Sequence, residues 1–353
     1  MARIFTITEG LENLGALKTG GQGSVYKGRR ADGSLTAIKL LPTPIFHESH
    51  EDKAYRDFNN EVEKLQRVNK EMNPHVVRIL SWGVTDTGNF PFIEMPFIEG
   101  PDLEELLTPP HNKIFTLAEV TKVAEHLSNA LAHCHAVNVK HGDVKSNNVK
   151  FNLQTGNYIL LDFGLAVLSD EQRRTSLRQA GAIEFMAPEQ SEGKLFFASD
   201  VYSFGIILFE LLAGVVPFPL KEKNESARNR IMLAHLEKSP PDIINLRRQN
   251  LPGNWGEEEK EKELQVPAWL LAVIDRCLQK NHTQRYATGQ ELYAEIKQCL
   301  NGLAPAAFNW SALPEQLESD GWLQEKKELQ QQLHQQQKEL HGLREMVVSR
   351  DSE

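Results

Sequence analysis

The chain has 353 residues, 40% of them hydrophobic and 25% charged, so it can bury one large core or two smaller ones. A formal net charge of −9 gives no basic footprint, which argues against nucleic acid or an anionic membrane as a partner and in favour of protein. Three scattered cysteines, Cys134, Cys277 and Cys299, exclude a disulfide framework or a metal knuckle and suit a reducing cytoplasm.

In chain order, the amino terminus lacks the apolar run of a signal peptide and leads straight into a first strand. From Leu14 to about Leu41, Gly-containing turns separate runs rich in Val, Ile, Leu and Tyr, the pattern of an antiparallel meander. Residues 42–57 carry Pro42, Pro44 and mixed charges, a surface connection to a helix from about Tyr55 to Val68. That helix places Phe58, Val62 and Leu65 on one face. Strands are expected at Val76–Trp82 and Phe90–Met95, and the polarity changes at Glu99-Gly-Pro-Asp102, the expected lobe boundary.

Leu117, Val120, Ala124, Leu127, Leu131 and Cys134 recur at intervals of three and four, making a long amphipathic helix with Cys134 in the core. Helical patterns return at Ser199–Leu212, Trp269–Gln279 and Gln290–Leu300, so the second lobe is mainly α, and residues 253–264 read as a surface loop. The longest apolar stretch, Phe204–Phe218, contains Glu210 and falls short of the roughly twenty residues that cross a bilayer. It is expected to be a buried helix. After Leu300 a linker, 302–321, leads to a Gln, Glu, Lys and Leu-rich tail, 322–353. Leu333, Leu340 and Val347 share a heptad position there with Leu329 and Leu343 at the other, but Lys326 and Gln336 interrupt the seam. The tail is either a short self-association or docking helix or a solvated or intramolecular one.

Five local motifs stand in order: Ala37-Ile-Lys39, Phe58-x-x-Glu61, His141-Gly-Asp-Val-Lys-Ser-Asn-Asn148, Asp162-Phe-Gly164 and Ala187-Pro-Glu189. Each alone is weak; ordered across most of the chain they are specific. The chain resembles eukaryotic-type Ser/Thr protein kinases over about residues 10–301. The resemblance implies an α+β, bilobal fold, with a β-rich N-lobe at about 10–97, a mainly α C-lobe at about 98–301 and a C-terminal helical extension. It implies ATP and Mg²⁺ as cofactors and protein hydroxyls as substrates, with autophosphorylation.

The same resemblance implies roles for single residues. Gly20, Gly21 and Gly23 would cradle the phosphates through backbone N–H groups. Lys39, held by Glu61, would reach the α and β phosphates. Leu17, Val25 and Ala37 would roof the adenine, with Met95 as gatekeeper, Pro96 next and Ile98 as backbone donor. Asp143 would be the base or orienting group and Lys145 would neutralise charge on the transferring group. Asn148 and Asp162 would hold Mg²⁺. His141 and Phe163 would pack with Leu65, Glu189 would pair with Arg285, and Asp200 would anchor the catalytic loop.

The chain departs from the family at several positions. Lys18 stands at the first glycine, Gln22 at the loop tip and Lys150 at an apolar position below the base. Gly142 replaces the arginine that senses a phosphorylated activation segment, although Arg173-Arg-Thr175-Ser176 resembles a phosphorylation site. Ala182 replaces the threonine that bonds the catalytic Asp and Lys. Two functions are compatible with this pattern: an active kinase, and a nucleotide-binding pseudokinase acting as a signalling scaffold. A cytoplasmic location is expected, with a membrane tether only if the natural chain extends beyond Glu353.

Overall fold

The computed structural model describes residues 6–20, 23–45, 53–163, 183–222 and 224–302. The expected tail, the glycine-loop tip at Gly21 and Gln22, and Gly164, Thr175, Ser176 and Ala182 lie outside the described residues.

The first lobe is a six-stranded antiparallel sheet in the order β1-β2-β3-β4-β6-β5, built from Thr6–Thr8, Leu11–Gly20, Gly23–Arg30, Leu35–Leu40, Ser81–Val84 and Pro91–Pro96. On β4, Ile38 and Lys39 point to opposite faces and both are buried, Ile38 against Ile7, Leu11 and Phe92 and Lys39 against Glu61. Both faces of the sheet are therefore covered there, whereas Leu35 at the strand start is exposed. The short β1 is not foreseen as a separate strand. Ile7 on it is fully buried against Leu11, Ile38 and Phe92, and its carbonyl accepts from Asp86 N–H at 3.2 Å, so apolar burial and a backbone bond tie β1 to the loop after β5. Helix α1, Lys53–Val68, buries Phe58, Val62, Leu65 and Val68 in the main core.

The expected strand at Val76–Trp82 is a correction. Only Ser81–Val84 pairs as β5; Val76 forms an isolated bridge to Leu160, and Val77 N–H donates to Leu160 O at 3.0 Å. The backbone groups of this run are satisfied from several sides: Val77 by Leu160 of the second lobe, Ile79 N–H by the Asn69 side chain, and Leu80 N–H by Glu94 O on β6.

The second lobe is helical: α2 (Leu103–Leu106), α3 (Leu117–Ala136), α4 (Phe197–Ala213), α5 (Glu225–Glu237), α6 (Ile243–Gln249), α7 (Glu257–Glu263), α8 (Ala268–Cys277) and α9 (Gly289–Leu300). The hairpin β7 (Val149–Phe151) and β8 (Tyr158–Leu160) interrupts it. Thr116, Asn224, Asp242 and Thr288 cap their helices by accepting backbone N–H bonds. α4 is buried almost throughout and ends at Gly214 in the left-handed region. Cys134 is fully buried, as its heptad-like spacing required.

The loop expected at 253–264 is a second correction. It contains α7, whose Glu263 is buried and bonded to Arg247, itself fully buried. Arg247 also donates to Leu212 O and Phe115 O, so a charge-rich sequence is held by a buried pair that local composition does not show. Among the described residues, no helix is long and apolar enough to cross a membrane.

Candidate active site

Lys39 sits on β4 and Glu61 on α1, and both side chains are buried. Lys39 Nζ lies 2.8 Å from Glu61 Oε1 and 2.6 Å from Asp162 Oδ1. Burial opposes the ammonium, yet the Asp162 and Glu61 carboxylates outweigh it and hold its pKa above the ordinary lysine value. Burial pushes the Glu61 carboxyl upward, which Lys39 offsets only in part, since one ammonium serves two carboxylates. Asp162 adopts a left-handed backbone, φ 54°, at the end of the β8 connection.

The loop around Asp143 is fixed by backbone bonds to buried side chains. His141 N–H and Gly142 N–H donate to the two Asp200 carboxylate oxygens, each at 2.8 Å. Asp200 is fully enclosed, so burial opposes its charge, but the His135 hydrogen bond and these amides draw its pKa below the ordinary range. His135 accepts from Gly289 N–H at Nδ1, which leaves Nε2–H to donate to Asp200 at 3.0 Å. His141 follows the same logic: Nδ1 accepts from Asp143 N–H and Nε2 donates to Leu161 O at 2.7 Å. Its ring packs against Phe163 with centroids 4.8 Å apart, and Leu65 belongs to the same core.

Asp143 Oδ2 accepts from Lys145 Nζ at 2.7 Å and from Asn148 Nδ2 at 3.1 Å. Asn148 Nδ2 also reaches Asp143 O at 2.9 Å, so the amide nitrogen is spent within the loop and Oδ1 is the atom left to act as a ligand. Burial raises the Asp143 pKa against the opposing pull of Lys145. Leu161 N–H donates to Asn148 O at 2.8 Å, so the residue before Asp162 is tied directly to this loop. The arrangement brings together two ammonium groups, three carboxylates and an amide oxygen. It can orient a hydroxyl, neutralise anionic oxygens and present hard oxygen ligands.

The expected nucleotide slot has its parts on adjacent strands. Val25 pairs with Lys39 across β3 and β4, and Ala37 pairs with Met95 across β4 and β6. Pro96 ends β6 opposite Thr36, and Ile98 is buried in the main core. Leu17 is exposed on β2, and Lys18 beside it is exposed opposite Val25. Gly20 pairs with Gly23 at the hairpin end. Gly23 has φ 125°, and a Cβ there would collide with Leu40 O, so this position requires glycine. Lys150 is half-buried on β7, opposite Ile159 and bridged to Asp102. A cavity of about 420 Å³ lies elsewhere, between the strand turns over Arg30 and Glu94. Its buried Glu94 is already satisfied by two Arg30 bonds of 2.8 and 2.6 Å.

Three neighbours of the site are not singled out by the sequence. His135 looks like one more residue of an amphipathic helix, yet it holds Asp200. Ser146 donates to Glu210 in the middle of α4, where burial raises the Glu210 pKa to about 7. Gln190 reaches back to Gly142. The expected Glu189–Arg285 pair is present as two parallel hydrogen bonds, Arg285 Nη1 donating to Glu189 Oε1 and Nη2 to Oε2, at 2.8 and 2.9 Å.

The profile described as protein kinase domain matches residues 11–300. The chain is 29% identical over 266 residues to serine/threonine-protein kinase PrkC of Bacillus subtilis (strain 168), covering 74% of this chain and 36% of that protein. It is 33% identical over 293 residues to serine/threonine-protein kinase pkn2 of Myxococcus xanthus, covering 79% of this chain and 31% of that protein. The chain thus spans about a third of the length of these two curated relatives. It superposes on the kinase domain of Mycobacterium tuberculosis PknI with a TM-score of 0.57 at 20% identity, covering 84% of this chain and 99% of that one. That likeness establishes a shared fold.

Proposed function

We propose, because this chain belongs to the protein kinase domain family, that it transfers the γ-phosphoryl group of Mg-ATP to serine or threonine hydroxyls of protein substrates and of itself. The observation that carries the reading is the Lys39 ammonium, held 2.8 Å from Glu61 and 2.6 Å from Asp162. It joins a strand, a helix and the loop beside Asp143 at one point. Lys39 positions the α and β phosphates, and Glu61 keeps its ammonium on station when phosphate displaces Asp162. Gly20, Gly21 and Gly23 offer backbone donors to the phosphates. Leu17, Val25, Ala37, Met95, Pro96 and Ile98 form the adenine slot.

Asp143 orients the substrate hydroxyl and accepts its proton, while Lys145, 2.7 Å away, neutralises charge on the transferring group. Asn148 Oδ1 and the Asp162 carboxylate are oxygen donors of the kind that suits Mg²⁺, and these two residues would hold it. Bound Mg²⁺ supplies charge neutralisation on the phosphate oxygens. The kinase domain spans about residues 10–301 with its lobes meeting near residue 98, and the tail is a docking or self-association helix or a solvated or intramolecular one.

Purified protein given γ-labelled ATP with Mg²⁺ should label itself or a generic Ser/Thr substrate well above its Asp143→Asn variant. Equal labelling of the two sinks the reading. The exposed Lys18 and half-buried Lys150 favour a second function, a nucleotide-binding scaffold without turnover. Partner binding and biological activity kept by Asp162→Ala, with transfer lost, would support that scaffold.

A further inference from the structure

Gly142 immediately precedes Asp143, and its own side chain can hold nothing. Its backbone φ is 79°, and both of its polar backbone groups are taken by buried side chains. The N–H donates to Asp200 Oδ1 at 2.8 Å and the carbonyl accepts from Gln190 Nε2 at 3.2 Å. The carbonyl of Gly142 and the N–H of Asp143 belong to one planar peptide unit. That N–H donates to His141 Nδ1 at 3.2 Å, so Gln190 and His141 grip the two ends of the same plane. Fixing the plane fixes the backbone entry to Asp143.

Gln190 is well placed to act as a fixed post. It is 2% exposed, and its Oε1 accepts from Ala187 N–H at 2.8 Å, which sets the amide so that Nε2 faces Gly142. The residue before it, Glu189, is locked to Arg285 by two bonds. The turn at Pro188–Glu192 therefore transmits the rigidity of the large lobe to the Asp143 peptide through one neutral amide.

We propose that Gln190 is a positioning residue for Asp143. It fixes the Gly142–Asp143 peptide by an uncharged tether where the chain has no arginine side chain. The inference rests on the phosphoryl-transfer reading for its kinetic consequence, and on the hydrogen-bond geometry alone for its effect on the loop.

The test uses the full chain with Gln190→Ala, Gln190→Met, which keeps the volume, and Gln190→Glu, which keeps the acceptor for Ala187 N–H but loses the donor to Gly142. Hydrogen–deuterium exchange over residues 139–149 is read first, since it needs no turnover. All three variants should exchange faster there than wild type at neutral pH, and unchanged exchange in Gln190→Met and Gln190→Glu overturns the proposal even if the chain proves inactive. With transfer established against Asp143→Asn, kcat should fall roughly 10- to 100-fold with KM for ATP little changed, the size expected from misplacing a reacting group. In Gln190→Glu, kcat should recover as the pH falls, because a protonated carboxyl can again donate to Gly142 O while accepting from Ala187 N–H. A purely structural role would lower Tm in all three and leave kcat and its pH profile unmoved well below Tm. That outcome also overturns the proposal.

Discussion

Arg285→Met should cost about 4 kcal/mol of stability, because the guanidinium it removes has all five of its N–H donors engaged in the interior. Nε donates to Gln279 O at 2.7 Å, Nη1 to Glu189 Oε1 and Ala198 O at 2.8 and 3.0 Å, and Nη2 to Glu189 Oε2 and Lys280 O, both at 2.9 Å. Methionine fills much of the volume but strands the Glu189 carboxylate, 8% exposed, with Ser199 Oγ at 2.6 Å as its remaining side-chain bond. Three carbonyls lose a donor as well. At about 2 °C per kcal/mol for a domain of this size, Tm should fall by roughly 8 °C in a thermal melt followed by circular dichroism. Adding Glu189→Leu removes the stranded charge and should recover roughly 1–4 kcal/mol relative to Arg285→Met. A fall under about 2 °C in the single variant, or a double variant as unstable as the sum of the two singles, would refute the reasoning.

Lys39→Met should abolish phosphoryl transfer and also destabilise the fold, since it leaves Glu61 buried without its ammonium; adding Glu61→Met should restore Tm but not transfer. Glu210 carries a pH signature. Its folded pKa of about 7 lies above the unfolded carboxylate value, so its contribution is complete below about pH 4 and is lost as pH rises through about 7. Glu210→Gln should therefore gain on wild type by up to ~3 kcal/mol between pH 4 and 8, measured by urea melts; parallel stability curves would reject this account. Gly289→Ala should lower stability by about 1–3 kcal/mol, because its Cβ would sit 2.5 Å from the Leu131 backbone carbon. Gly253→Ala, where nothing lies within 4 Å, is the matched control and should leave Tm unchanged.

The ordered motifs make the principal site legible because each carries its chemistry in a short stretch of chain. Lys39, Glu61, Asp143, Asn148 and Asp162 are identifiable from residue type and order, and the fold gathers their side chains into two hydrogen-bonded sets, Lys39 with Glu61 and Asp162, and Asp143 with Lys145 and Asn148, joined by the backbone bond from Leu161 to Asn148. The long helices are legible for a related reason: periodic apolar residues such as Val120, Ala124, Leu127 and Leu131 report a buried face locally.

Where the sequence misleads, the partner is distant. Val76 looks like a strand residue, but its backbone bridge is to Leu160. The 257–263 segment looks like a solvated run of charge, but Glu263 is drawn inward by Arg247 sixteen residues earlier. His135, Glu210 and Gln190 are ordinary in sequence, and each gains its role only from a group that the fold delivers from 48 to 65 residues away along the chain: Asp200, Ser146 and Gly142. Sequence alone determined which side chains are candidates for the reaction, because residue type and short spacing encode them. Tertiary structure decided which buried polar groups hold those side chains in place, because a hydrogen bond between distant segments leaves no periodicity to read.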